Sequence, residues 1–404
     1  MKLLFVGVAC TDEAIKQSNK KYYNDKAAVR PQQYFDLSLV RGLSEYSNVI
    51  AISEPPVASY PRSKCLWYKR KEDVVSEKLI IKYIKLLNLL GIKTFIIMFT
   101  VFFETFKFCI ENKEKKSAIL LGYLSFYTSF PAMIVSKIFK VKVFVIVPDI
   151  PQYVSNYSKT NNIIKHYLIK LSERFNKLTE SRFDGYIFLT RYMNELLNRN
   201  KKPYIVMEGF VNKEDMISVE AMHKESKKIL MYAGTLHEKF GVKKLVEAFK
   251  LINMDNCELW IYGEGDYLKK IQEECVIHSN IKYKGIKNKE EILKLERVVT
   301  LLVNPRPSDE EFTKYSFPSK TVEYMASGTP VLTTKLPGIP EEYFQYVYTF
   351  EGEDVVEMTN IIQKILSLPE AELSHFGLKA KEFVLQNKNH SIQAKKIINF
   401  IFNR

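Results

Sequence analysis

The chain has 404 residues, enough for two or three domains with full cores, and its 46% hydrophobic and 26% charged content excludes a disordered or fibrous protein. The formal net charge of +14 is uneven: residues 1–210 hold 33 Lys and Arg against 18 Asp and Glu, and the remainder holds 27 against 28. All the excess therefore lies in the front half, where a basic surface suits anionic lipid or an anionic acceptor. Nucleic acid is the least expected partner of such a surface, because the basic residues follow no DNA- or RNA-binding motif.

The start, Met1 to Cys10, has a short apolar run without a small-residue cleavage site and is read as a first β-strand. Alternating patterns follow. Strands are predicted at Lys2–Val8, Val49–Ser53, Ala118–Gly122, Val141–Val147, Gly185–Leu189 and Tyr204–Met207. Helices are predicted at Gln32–Glu45, Val74–Lys113, Phe130–Phe139, Asn161–Leu178 and Thr190–Arg199. This alternation implies a parallel sheet covered on both faces. Within Asp73–Ile110, Lys, Phe, Leu and Ile mix at roughly helical spacing, which fits core helices or an amphipathic surface on an anionic membrane. Trp67 to Lys71 add an aromatic and basic cluster suited to a headgroup layer. Lysines and Glu104 interrupt the apolar stretch too often for a spanning helix.

Around Glu208–Lys228 the pattern loosens into a polar stretch, which places a domain boundary at 210/211. A second series gives strands from Ile229, at Glu258–Tyr262, Ile281–Lys284, Val299–Val303 and Val331–Thr334. Helices are predicted at Val242–Leu251, Tyr267–Glu274, Lys289–Leu295, Ser319–Ala326, Asp354–Leu366, Glu370–Leu385 and Ser391–Phe402. Five cysteines, odd in number and without a C-x-x-C pair, suggest reduced thiols and a cytosolic compartment.

Several stretches carry chemistry. In Tyr315-Ser316-Phe317-Pro318-Ser319-Lys320-Thr321-Val322-Glu323, Pro318 suits the first helical position, and Gly328 suits the residue just past the helix. Such a helix start offers free N–H groups and a positive dipole end to a phosphate, with Ser319 and Lys320 adding a hydroxyl and a cation. A Lys320–Glu323 surface pair is the plainer alternative. Gly234-Thr235-Leu236-His237-Glu238-Lys239 follows a strand, so Gly234 lets backbone approach a ligand, and Lys239 is either a phosphate contact or a solvated lysine. Gly263-Glu264-Gly265 ends a strand, and Tyr283-Lys284-Gly285-Ile286 ends another. Arg306 follows Asn304-Pro305. In the front half, Asp149 lies just past the carboxyl end of a strand, where ligands of open α/β sheets bind; a loop acid closing an Asx turn is the alternative.

The stretch Pro318 to Val331 resembles the donor-binding signature of retaining GT-B glycosyltransferases of family 4, of the bacterial polysaccharide-biosynthesis type. The other three motifs occur in family order before it, over roughly 110 residues. The resemblance implies a GT-B fold: two Rossmann-like domains facing across a cleft, an acceptor-binding one at 1–210 and a nucleotide-sugar-binding one at 211–386. Its last helix, about 387–404, packs back on the first domain. It implies that Glu323 holds the ribose of a UDP- or GDP-linked sugar and that the helix start holds the diphosphate. Gly234, Thr235, Lys239, Gly263, Gly265, Ile286, Arg306 and Tyr315–Lys320 would line the donor site. Tyr315 stands where the family carries a second Glu, and Thr235 where it carries an Arg. Asp149, Lys320 and Glu323 are the catalytic candidates. Ser172–Asn176 and Asp184-Gly185 recur in related chains, for packing at the cleft wall.

No Asp-x-Asp, clustered histidines, G-x-S-x-G or Walker loop occurs, so neither metal nor cofactor is expected beyond the nucleotide-sugar co-substrate. The reading is a metal-independent hexosyltransferase that retains anomeric configuration. Its acceptor is a hydroxyl of a lipid-linked saccharide in cell-surface polysaccharide biosynthesis, and it sits peripherally on the inner membrane face through its basic front half. The alternatives are a non-catalytic partner subunit and a sugar-nucleotide epimerase.

Overall fold

The computed structural model describes residues 1–23, 31–89, 91–150, 174, 179, 182–213 and 226–403. Nearly all of the helix expected at Asn161–Leu178, and most of the polar stretch before Lys228, lie outside the described residues. The chain forms two compact units, Met1–Met207 with His390–Arg404, and Glu208–Asn389.

In the first unit the elements run β1 (Lys2–Gly7), α1 (Asp12–Tyr22), α2 (Pro31–Tyr46), β2 (Asn48–Ser53), β3 (Trp67–Tyr68), β4 (Glu72–Ser76), β5 (Leu79–Tyr83) and β6 (Leu86–Leu87). They continue with α3 (Ile92–Glu111), β7 (Ser117–Leu121), α4 (Phe126–Phe139), β8 (Lys142–Val147), β9 (Gly185–Phe188), α5 (Arg191–Leu197) and β10 (Tyr204–Val206). Eight strands form one sheet in the order β10-β9-β8-β7-β1-β2-β5-β4, parallel except for β4, and β3 pairs with β6 separately. Leu3 to Val6 and Val143 to Val147 are all buried, as strands covered on both faces must be. The chain's final helix, His390–Phe402, packs against α2, and Tyr46 Oη lies 3.0 Å from Ser391 Oγ.

The expectation of helix over Val74–Lys113 fails at its front. Residues 72–83 are an antiparallel hairpin, and α3 begins only at Ile92. Alternate residues Leu79, Ile81 and Tyr83 are buried, so the period is two. The structure also adds α1, which the sequence reading left out: Thr11 caps it by accepting from the Ala14 N–H, and Asp12 and Glu13 favour its first turn.

In the second unit, β11 (Lys228–Ala233), α6 (Val242–Lys250), β12 (Cys257–Tyr262), α7 (Leu268–Ile277), β13 (Ile281–Tyr283), α8 (Lys289–Val298) and β14 (Leu301–Asn304) come first. They precede α9 (Ser319–Ser327), β15 (Val331–Thr333), β16 (Tyr348–Thr349), α10 (Val355–Leu366) and α11 (Glu370–Asn387). Six parallel strands order as β13-β12-β11-β14-β15-β16. That is the Rossmann order, which reverses direction between β11 and β14. Val242, Leu245, Val246 and Phe249 of α6 join Leu230, Ile261 and Leu332 in one core, where each fully buried side chain contributes roughly 1.5–3 kcal/mol. Five cysteines are free, four of them buried.

Candidate functional site

A doubly wound sheet leaves a crevice outside the carboxyl ends of its strands where the order reverses. In the second unit that point lies between β11, which runs into Gly234, and β14, which runs into Pro305-Arg306. The two strands pair only at Leu230–Leu301 and Met231–Leu302. Beyond that, the Tyr324 hydroxyl of α9 fills the gap: it accepts from the Ala233 N–H at 2.9 Å and donates to the Ala233 carbonyl at 3.1 Å. Tyr324 thus fixes α9 against the end of β11, and Asn304 Nδ2 donating to Thr321 Oγ1 at 3.1 Å ties the same helix to β14. Neither contact was legible from spacing alone.

The loops singled out in the sequence meet here. The Leu236 N–H donates to the Glu264 carbonyl at 2.8 Å, and the Tyr267 N–H donates to the Leu236 carbonyl at 2.9 Å. Gly263 has φ +125°, and a Cβ there would lie 1.9 Å from the Gly234 carbonyl; one on Gly265 would lie 2.3 Å from that of Leu236. Tyr283 Oη donates to the Gly263 carbonyl at 3.0 Å, and the Gly263 N–H donates to that of Gly285 at 3.1 Å, which leaves neighbouring Ile286 exposed. Gly241, at φ +82°, meets the Pro305 carbonyl where a Cβ would sit, 1.8 Å away. Arg306 stacks on the rings of Phe240 and Phe312 at 4.9 and 5.6 Å, and Lys239 lies over the same two rings at 5.2 and 5.9 Å. Thr235 is exposed beside them.

Residues Tyr315 to Ser319 lead into α9. Pro318 sits at the position before the helix rather than as its first residue, no side chain caps the helix start, and Gly328 closes it in the left-handed conformation at φ +87°. Phe317 is buried against Gly209, where a Cβ would come within 3.0 Å of its ring, while Tyr315 and Ser316 are half-buried and Ser319 is exposed.

Lys320 and Glu323 form an ion pair, with a third member that sequence reasoning missed: Lys320 Nζ lies 3.8 Å from Oε1 of Glu296 on α8. Glu296 is fully buried, and both its carboxyl oxygens lack a hydrogen-bond partner. Burial and the nearby charge of Glu323 push its carboxyl well above the ordinary range, against the pull of Lys320. For Glu323, burial pushes up, but the charge and hydrogen bond of Lys320 outweigh it and hold the carboxyl below its usual value. Burial pushes Lys320 down, and the two glutamates more than compensate. These shifts favour the protonated form of Glu296 and the ionised forms of Lys320 and Glu323. A signal existed in the sequence: Ile292, Leu293 and Glu296 lie on one helical stripe, and all three are buried.

The first unit has its own reversal, between β1 and β7. Asp36 of α2 fills it, fully buried, accepting from the Val8 N–H at 2.8 Å and from Gln32 at 2.7 Å. Burial pushes its carboxyl up to about 7. At the carboxyl ends of β2 and β7, Glu54 accepts from the Tyr123 hydroxyl, and Lys93 lies 4.0 Å from Glu54 Oε2. Asp149 is exposed two residues past β8 on the same edge. Asp184, in the pair expected to pack, donates its N–H to the Val143 carbonyl and accepts the Val143 N–H, each at 2.8 Å. Of the neighbouring Ser172–Asn176 motif, all but Arg174 lies outside the described residues.

Residues 213–383 match the family of glycosyl transferases group 1, so the second unit carries a domain of that family. No curated protein matches the chain. Among solved structures, the chain is similar to sucrose-phosphate synthase from Thermosynechococcus elongatus, at 14% identity and TM-score 0.64, covering 98% of this chain and 97% of that one. It is similar to Anabaena HepE in complex with UDP at 12% identity and TM-score 0.61, covering both chains completely. It is also similar to the lipopolysaccharide outer core galactosyltransferase WaaB, at 13% identity and TM-score 0.60, covering 100% and 99%. The fold is therefore GT-B, over the whole chain.

Proposed function

We propose that this GT-B chain with its group 1 domain is a glycosyltransferase that takes a sugar from a UDP- or GDP-linked donor to a hydroxyl of a lipid-linked saccharide. Glu323 holds the ribose, and the N–H groups at the start of α9 hold the diphosphate. The observation that carries this reading is the convergence of the Gly234, Gly263, Gly285 and Arg306 loops with α9 at one strand-order reversal. Close backbone approach at the glycines admits a phosphate, and Arg306, Lys239 and the helix dipole meet the charge growing on the leaving diphosphate. UDP is the first nucleotide to test, since HepE was solved with it.

By family resemblance the reaction retains configuration, with the acceptor hydroxyl entering on the leaving-group face and a diphosphate oxygen taking its proton. Asp149 orients the acceptor. The setting is polysaccharide assembly at the inner membrane face, with neither metal nor cofactor taking part.

Thermal unfolding of the wild type and Glu323→Ala against UDP, GDP, ADP and CMP tests the reading. A ligand that binds only the native state raises the melting temperature. The expected result is a rise with one nucleotide that is lost in the variant. No rise with any nucleotide overturns the donor assignment.

A further inference from the structure

The face built by α3 and α4 is unusually apolar for an exposed surface. Phe95, Phe99, Phe103 and Ile110 form one stripe along α3 and are 64%, 63%, 61% and 52% exposed. Their spacing of four, four and seven residues keeps them on one side of the helix over roughly 22 Å. Ile97, Val101, Thr105 and Phe108 of the same helix are buried, so the exposed stripe is not surplus core. Helix α4 packs beside α3, with Phe139 edge-on to Phe106 at 5.3 Å, and exposes Ile134 and Ile138. At roughly 200 Å² per aromatic side chain, the exposed apolar area is on the order of several hundred Å², the size at which the largest patch of a monomer is often functional.

Charge decides the occupant. Lys113, Lys115 and Lys116 stand between α3 and β7, and Lys137, Lys140 and Lys142 stand at the end of α4 and the start of β8; all six are exposed. Because β7 and β8 pair in parallel with Ala118 opposite Lys142, the two lysine groups lie side by side at one end of the apolar stripe. Glu114 is the one acid within residues 112–142. No described helix is long and apolar enough to cross a membrane, so such a face lies in an interface instead.

We propose that the α3–α4 face docks on an anionic lipid bilayer, its phenylalanines entering the headgroup boundary and its six lysines meeting lipid phosphates. This moves the membrane contact expected at Asp73–Ile110 off the β4–β5 hairpin and onto α3 and α4. The first turn of α3 also holds Lys93 beside Glu54, so the stripe begins at the carboxyl edge of the first sheet, where the acceptor is proposed to bind. The proposal deepens the lipid-linked acceptor reading and rests on it for its purpose, but its test is independent of turnover.

Flotation of the full chain with phosphatidylcholine vesicles, with and without 30% phosphatidylglycerol, gives the readout, alongside sedimentation velocity. The expected result is binding that needs the anionic lipid and weakens as salt rises. Phe99→Glu with Phe103→Glu lowers partitioning by at least about tenfold. Lys115→Glu with Lys116→Glu and Lys140→Glu lowers it on anionic vesicles alone. These side chains are exposed, so melting temperature and nucleotide response stay at wild-type values. Wild-type flotation by the phenylalanine variant overturns the proposal. So does a wild-type dimer that this variant converts to a monomer, which would make the stripe a self-association surface. Vesicle binding without any nucleotide response leaves the proposal standing and removes the transferase reading instead.

Discussion

Glu296 offers the sharpest test of the electrostatics at the site. Its carboxyl is fully buried, unbonded and held well above the usual range, so the native state keeps a proton that the unfolded chain releases near pH 4.3. Between that value and the native one, stability must fall as pH rises, by about 1.4 kcal/mol per unit. A wild type that holds this proton therefore loses stability as pH rises above the unfolded value, and a variant without the proton does not. Glu323 does not interfere: its value is lowered, so its contribution is lost only as pH falls below about 4.3. Lys320 is raised from an already high value and titrates above the window. Glu296→Gln keeps the shape without the proton. Scanning calorimetry at pH 5.5, 6.5 and 7.5 should show the variant matching wild type at the acid end and exceeding it progressively toward pH 7.5. Parallel curves for the two proteins would refute the neutral-acid account.

Two further changes probe the frame of the site. Tyr324→Phe leaves the Ala233 N–H and carbonyl without their partner in a buried gap, a cost of about 1–3 kcal/mol, and should lower the melting temperature and weaken the nucleotide response together. Gly241→Ala forces a left-handed alanine whose Cβ sits 1.8 Å from the Pro305 carbonyl, so it should destabilise by more than about 2 kcal/mol in urea unfolding. Wild-type stability in either variant would show that the loop relaxes at no cost.

The parallel strands were legible because a strand covered on both faces needs a continuous apolar run, and Leu3 to Val6 or Val143 to Val147 admit little else. The β4–β5 hairpin was not. Its alternation is hidden because Leu79, Ile80 and Ile81 are all apolar, and its Glu77-Lys78 turn carries neither Gly, Asn nor Pro. The loops around the candidate site were legible as glycines after strands. The burial of Glu296 left a signal, since it shares a stripe with Ile292 and Leu293 while Glu290 is exposed and Glu291 half-buried, but nothing in α8 marks that it meets Lys320 and Glu323 of α9. Asp36 was missed for the same reason: one carboxylate in a helix carries no mark of the strand it meets.

The geometry also divides the labour among the cations. Lys320 is committed to Glu323 and lies over Glu296, so most of its field is spent inside the protein. On the proposed donor reading, a diphosphate at the start of α9 would draw on the uncapped helix start and on Arg306 and Lys239, which both lie over the faces of Phe240 and Phe312. An aromatic face holds a cation with little loss of its outward field. By the family resemblance Thr235 stands where an Arg is expected, and the Pro305 carbonyl is pressed against Gly241 at the end of that same loop. A charge missing from one loop is thus carried into its neighbourhood by the next strand. If the proposed donor reading holds, Lys320 orients Glu323 for the ribose, while Arg306 and Lys239 face the leaving group.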